Sequence, residues 1–104
     1  MKHAVIAATA GLTLILFQST AVAVDAEWAK AEAKEHGCLN CHNIDAKKKV
    51  GPGWADSAAK FKGKTAADLA AAVKAKPVHN SSMKKTSEKD LNLMSEWILT
   101  LGQK

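Results

Sequence analysis

The chain contains no arginine, although fifteen lysines against ten acidic residues give it a net charge of +5. Proteins that read bases or clamp phosphates rely on the planar, bidentate contacts of arginine, and many also carry basic motifs that include aromatic residues. This sequence has neither feature. We therefore expect no nucleic-acid partner in spite of the positive charge.

Cysteine is almost as scarce, since Cys38 and Cys41 are the only two. A structural zinc site normally needs four ligands in two separated pairs, and no second pair exists here. A thioredoxin-like dithiol follows a strand in a βαβ unit, whereas residues 25–36 are rich in alanine, glutamate and lysine and predict a helix. A disulfide between the two cysteines would close a very short loop and would restrain the unfolded chain little.

No hydrophobic run is long enough to anchor the chain in a membrane. Residues 4–17 are mostly apolar, but 14 helical residues span only about 21 Å, less than the ~30 Å of the hydrocarbon layer. The run follows a short basic start and leads into Ala21-Val22-Ala23, a small-residue cleavage pattern. We therefore expect residues 1–23 to be a secretory signal peptide, which leaves residues 24–104 as one small domain in the periplasm with no stable membrane insertion.

Aromatic residues are few as well, and the expected mature domain retains only Trp28, Trp54, Phe61 and Trp97. A domain this small buries a low fraction of its surface and is hard to stabilise by side-chain packing alone. A large bound group would supply the missing core. We therefore expect the domain without that group to be largely unfolded.

The residues that explain the two cysteines are Cys38-Leu39-Asn40-Cys41-His42. This is the spacing that attaches a c-type haem. Two intervening residues place the sulfurs about one helical turn apart, so that each can reach one vinyl group on the same porphyrin edge. A histidine directly after the second cysteine supplies an imidazole nitrogen as an axial iron ligand.

The remaining pattern predicts an all-α fold with four helices and no strand. Asp25 caps the first helix, which runs to Gly37, and His36 is expected to be a solvated residue at its end. Trp54–Phe61 is predicted to be a short second helix.

Thr65 and Asp68 form a capping box for the third helix, which Pro77 ends. Ser87 opens the last helix, whose apolar stripe is Leu91, Met94, Ile98 and Leu101.

The second axial ligand is expected from residues 78–87, which show no periodicity and predict a loop. Electron carriers usually keep both axial positions filled, so a distal ligand must exist. Met83 has no periodic reason to be buried and is the expected ligand. His79 in the same loop is the alternative and would give bis-histidine ligation, whereas Met94 lies on the apolar stripe and is interpreted as a core residue.

Several segments together make the chain similar to the small bacterial class I cytochromes c. They are Gly37 to Asp45 around the motif, Val50-Gly51-Pro52, Ala58 to Phe61, Met83, and Glu96 to Leu99. The resemblance implies a class I cytochrome c fold of about four short helices wrapped around one haem, with thioether bonds from Cys38 and Cys41. It also implies His42 and Met83 as iron ligands, the Pro52 carbonyl as partner of the other His42 nitrogen, and Trp54 packed against the haem.

The expected function is that of a soluble, monomeric periplasmic one-electron carrier rather than an enzyme. From Cys38 onward twelve lysines face six acidic residues, a balance of +6, so redox partner proteins with acidic docking surfaces are expected. Two alternatives stay open. One is a haem subunit of a periplasmic oxidoreductase complex, and the other is a ligand-binding or peroxidase-type haem protein. The sequence lacks the distal Arg-His pair that a peroxidase would use for acid-base chemistry.

Overall fold

The computed structural model of the chain describes residues 24–102, and every regular element in that range is helical. The α-helices are α1 (Ala26–Glu35), α2 (Trp54–Lys60), α3 (Ala66–Lys74), α4 (Asn80–Met83) and α5 (Glu88–Thr100), and two short 3₁₀ turns cover Cys38–Asn40 and Pro77–His79. The predicted all-α class is confirmed. The predicted signal peptide, residues 1–23, lies outside the described residues. Among the described helices, none is long and apolar enough to cross a bilayer.

The starts of three helices follow the predicted capping residues. The Asp25 side chain accepts a hydrogen bond of 2.9 Å from a backbone amide in the first turn of α1. Thr65 and Asp68 exchange side-chain and backbone hydrogen bonds at the start of α3, and the bond from the Thr65 amide lowers the pKa of the Asp68 carboxyl. Ser87 accepts from the third amide of α5 at 3.1 Å. Each cap satisfies amides that have no partner within the helix.

Helix α1 ends two residues earlier than the sequence predicts. His36 is its C-terminal cap, and Gly37 adopts a left-handed backbone with φ of 80°. Glycine adopts this conformation without steric cost, which is why it commonly follows a helix. The turn at Gly37 directs the chain into the 3₁₀ turn that carries the first cysteine.

The core lies where α5 packs across the other helices. Its members are Ala29, Ala33, Trp54, Leu69, Met94, Trp97 and Ile98. Ala29 and Ala33 are completely buried, so α1 presents a flat face that allows close helix packing. Trp54 and Trp97 meet edge to face with ring centroids 5.9 Å apart, a favoured aromatic geometry. The buried stripe predicted for α5 is confirmed at Leu91, Met94 and Ile98, while Leu101 is half-buried.

The loop predicted for residues 78–87 is wrong over its first half. Pro77 begins a 3₁₀ turn, which continues directly into α4. Proline is favourable at this first position because its φ is already helical and its missing amide hydrogen has no intrahelical partner there. The His79 ring then fixes the turn to α3 through a hydrogen bond to the Val73 carbonyl. One turn of helix is too short to produce a hydrophobic period, so the sequence gives no sign of it.

The prediction that His36 is solvated is also wrong. Its side chain is buried, with Nε2 3.0 Å from a Glu32 carboxylate oxygen and Nδ1 hydrogen-bonded to the Thr86 hydroxyl. Thr86 in turn donates to the Ser82 carbonyl at 2.8 Å. The segment between α4 and α5 therefore covers the end of α1. This contact joins residues 50 positions apart, which a local reading of the sequence does not detect.

Candidate functional site

The two cysteines lie on one turn of chain that begins at Gly37. The backbone amides of Cys41 and His42 both donate to the Cys38 carbonyl, at 3.2 and 3.1 Å. Both thiols are free and half-buried. The turn therefore presents two unpaired sulfurs and an imidazole from five consecutive residues.

The environment of Cys38 argues against a redox dithiol. Burial raises the pKa of the Cys38 thiol, an effect only partly opposed by a hydrogen bond between the thiol and the backbone of the same residue. A catalytic dithiol needs the opposite shift, since the thiolate is the nucleophile and reactive cysteines have lowered pKa values. The environment of Cys38 therefore does not favour the thiolate that a redox dithiol needs.

The loop that follows the motif folds back onto the His42 ring. The Gly51 amide donates to the Cys41 carbonyl at 2.7 Å, and the Trp54 amide donates to the Asn43 carbonyl at 2.8 Å. These bonds hold the Gly51 backbone close to the imidazole ring. A Cβ atom added at Gly51 would lie only 2.4 Å from His42 Cε1. Glycine is required here because the backbone passes directly over the ring.

This loop brings the Pro52 carbonyl to His42. His42 Nδ1 lies 2.7 Å from that oxygen. A carbonyl only accepts hydrogen bonds, so Nδ1 carries the proton and donates, and Nε2 keeps its lone pair. The contact that the resemblance implied between His42 and Pro52 is therefore present. It is the arrangement by which proteins orient a metal-binding histidine.

Trp54 connects this histidine to the core. The indole ring lies against the imidazole with ring centroids 5.6 Å apart and an angle of 28° between the planes. Only 7% of Trp54 is exposed. Its position as the first residue of α2, directly after the Gly-Pro-Gly turn, allows it to contact both Trp97 in the core and His42 at the site.

An open cleft of about 680 Å³ lies beside His42. Its walls are Leu39, His42, Asn43, Ile44, Asp45, Ala46, Ala55 and Leu101. The volume is within the usual range for sites that hold small molecules or cofactors, and the walls are mainly apolar. The contribution of Leu101, from the end of α5, could not be read from the motif because it depends on how α5 crosses the rest of the chain.

The two candidate distal ligands lie one helical turn apart. Met83 is half-buried at the C-terminal end of α4, and His79 is half-buried at the residue before α4 begins. The His79 ring centroid is 6.1 Å from that of His42. In the sequence, the only sign that His79 and Met83 lie close together is their four-residue spacing. In a helical turn, this spacing places both side chains on one face.

A second group of potential ligands is engaged in internal contacts. Glu32, Glu35 and His36 place their ligand atoms within 4.8 Å of one another. Both ring nitrogens of His36 already face Glu32 and Thr86. We interpret this group as part of the link between α1 and the segment before α5.

No known protein family, no curated protein and no solved structure matches the chain.

Proposed function

We propose that this protein is a periplasmic one-electron carrier that holds a single haem through Cys38, Cys41 and His42. The observation that carries this proposal is the state of His42. Its Nδ1 is fixed on the Pro52 carbonyl, its Nε2 is free to bind a metal, and two unpaired thiols precede it within one turn of chain. This donor set is the one that c-type haem attachment requires.

The surroundings of the donor set fit a haem. The cleft beside His42 is walled by apolar side chains such as Leu39, Ile44 and Leu101. The core is small, and among the described residues the largest side chain that is more than 98% buried is that of Ser95. A bound macrocycle would therefore enlarge a small core.

The residues of this chain hold and orient the cofactor. A haem supplies an iron centre that exchanges one electron between its ferrous and ferric states. Cys38 and Cys41 would bind the porphyrin edge, and His42 would ligate the iron from one face. Pro52 fixes the ring and makes the imidazole a stronger donor, while Gly51 and Trp54 restrict its movement. Iron ligands that stay the same in both oxidation states would keep rearrangement during electron exchange small.

Charge supports a role in encounters with acidic partners. Lys47, Lys48 and Lys49 are exposed on the loop that follows the motif, and Lys49 Nζ donates to the Leu39 carbonyl within the motif turn at 3.1 Å. A positive surface near a redox centre speeds association with negatively charged proteins. We propose redox partner proteins with acidic docking surfaces, and a class I cytochrome c fold for the loaded domain.

Absorbance spectroscopy distinguishes a carrier from a haem enzyme or a gas-binding protein. A peroxidase or sensor needs an open iron position, whereas a carrier has both axial positions filled. We expect the reduced, haem-loaded protein to stay low-spin and not to bind carbon monoxide at neutral pH. Rapid carbon monoxide binding by the native protein would contradict a carrier function.

A further inference from the structure

A second aromatic ring near His42, besides that of Trp54, belongs to His79. The two ring centroids are 6.1 Å apart, and the planes are inclined at 39°. His79 reaches this position although it is 37 positions from His42 in the sequence, because the turn at Pro77 begins shortly after the end of α3. The pairing is therefore a product of the tertiary fold.

Both rings are oriented by a hydrogen bond from Nδ1 to a backbone carbonyl oxygen. His42 Nδ1 lies 2.7 Å from the Pro52 carbonyl, and His79 Nδ1 lies 2.7 Å from the Val73 carbonyl. In each case the oxygen only accepts, so Nδ1 donates and Nε2 keeps its lone pair. A histidine that binds a metal through one nitrogen almost always donates its other N–H in this way. His79 carries this feature even though it follows no cysteine motif.

The distance between the ring centroids is compatible with two imidazoles that share one metal ion. An imidazole nitrogen binds a transition metal at about 2 Å, and the ring centre lies about 1 Å beyond that nitrogen, so two such rings on opposite faces of one ion have centres about 6 Å apart. Rings in ordinary aromatic contact also occur at this distance. The paired Nδ1 hydrogen bonds are what distinguish the arrangement from simple packing.

We propose that His79, through Nε2, is the axial ligand on the haem face opposite His42. This inference rests on the proposed haem attachment and replaces Met83, the ligand that the sequence predicts. Met83 is one helical turn further on. Its long, flexible side chain has no comparable restraint, and a thioether is a softer donor than imidazole. Bis-histidine ligation would give the carrier a lower reduction potential than histidine–methionine ligation.

The test uses the haem-loaded protein purified from periplasm, and the mirrored variants His79→Ala and Met83→Leu. Ferric haem with methionine-sulfur ligation shows a weak far-red charge-transfer band, which bis-histidine haem lacks. We expect the ferric wild type to be low-spin without this band, and Met83→Leu to leave its absorbance and electron paramagnetic resonance spectra unchanged. His79→Ala should lose the wild-type low-spin signal, and added imidazole should restore it.

Several results would overturn the inference. A far-red band in the wild type that Met83→Leu abolishes would assign the ligand to Met83, and an unchanged spectrum of His79→Ala would exclude His79. Persistent high-spin iron in the wild type would show that neither side chain binds. In the first two cases the haem is attached and the proposed function stands, whereas persistent high-spin iron would also contradict the carrier function, which requires both axial positions to be filled. A purified chain with no bound haem would instead overturn both proposals.

Discussion

At the residue scale, His42 is restrained by three neighbours that come from one short stretch of chain. Pro52 accepts from Nδ1, Trp54 lies against the ring, and Gly51 passes over it closely. The motif alone identified His42 and both cysteines. The close approach of Gly51 could not be predicted from it, because that contact depends on the backbone path of residues 43–53.

Gly51→Ala is expected to displace the His42 ring. The new Cβ would be 2.4 Å from Cε1, and the ring cannot move away without losing its bond to Pro52. Overpacking of this kind costs about 1–3 kcal/mol. Urea unfolding of the haem-loaded protein should show this loss together with a changed Soret spectrum. Val50→Ala, a truncation at a neighbouring residue that is 74% exposed, is the control. Equal stability and equal spectra of the two variants would contradict the contact.

At the element scale, helix starts were predictable and the intervening turns were not. Asp25, Thr65 and Ser87 cap the helices expected of them because capping chemistry is local and depends on side chains within three residues. The turn at Pro77 and helix α4 were not predicted, because each is a single turn long and shows no hydrophobic period. The burial of His36 was not predicted either, because its hydrogen-bond partner Thr86 is 50 positions away in the sequence.

Helix α1 offers a matched pair of substitutions. Ala33 is completely buried on the face of α1 toward the core, whereas Ala31 is exposed on the same helix. Ala33→Leu should destabilise the protein by about 1–3 kcal/mol, since the three added carbon atoms have no space at the helix interface. Ala31→Leu should change the free energy of unfolding by less than about 0.5 kcal/mol. Chemical denaturation followed by far-ultraviolet circular dichroism measures both free energies of unfolding. Equal effects of the two substitutions would contradict the packing of the Ala33 face of α1 against the core.

At the scale of the whole molecule, the positive charge from Cys38 onward predicts how electron exchange depends on salt. Exposed charges are screened over about 8 Å at physiological ionic strength. The oxidation rate with an anionic reagent such as ferricyanide should fall as salt rises, and the rate with a cationic cobalt complex should rise. Stopped-flow absorbance gives both rates. If neither rate responds to salt, docking does not depend on the lysine-rich surface.

The proposed function requires that one haem is bound covalently to Cys38 and Cys41. Mass spectrometry under denaturing conditions, on the protein produced in a bacterial periplasm with haem-attachment machinery, tests it directly. We predict the mass of residues 24–104 plus one haem, and loss of that added mass when both cysteines are changed to serine. A chain that carries no added mass, or a haem that acid-acetone extracts from the wild type, would contradict covalent attachment through Cys38 and Cys41.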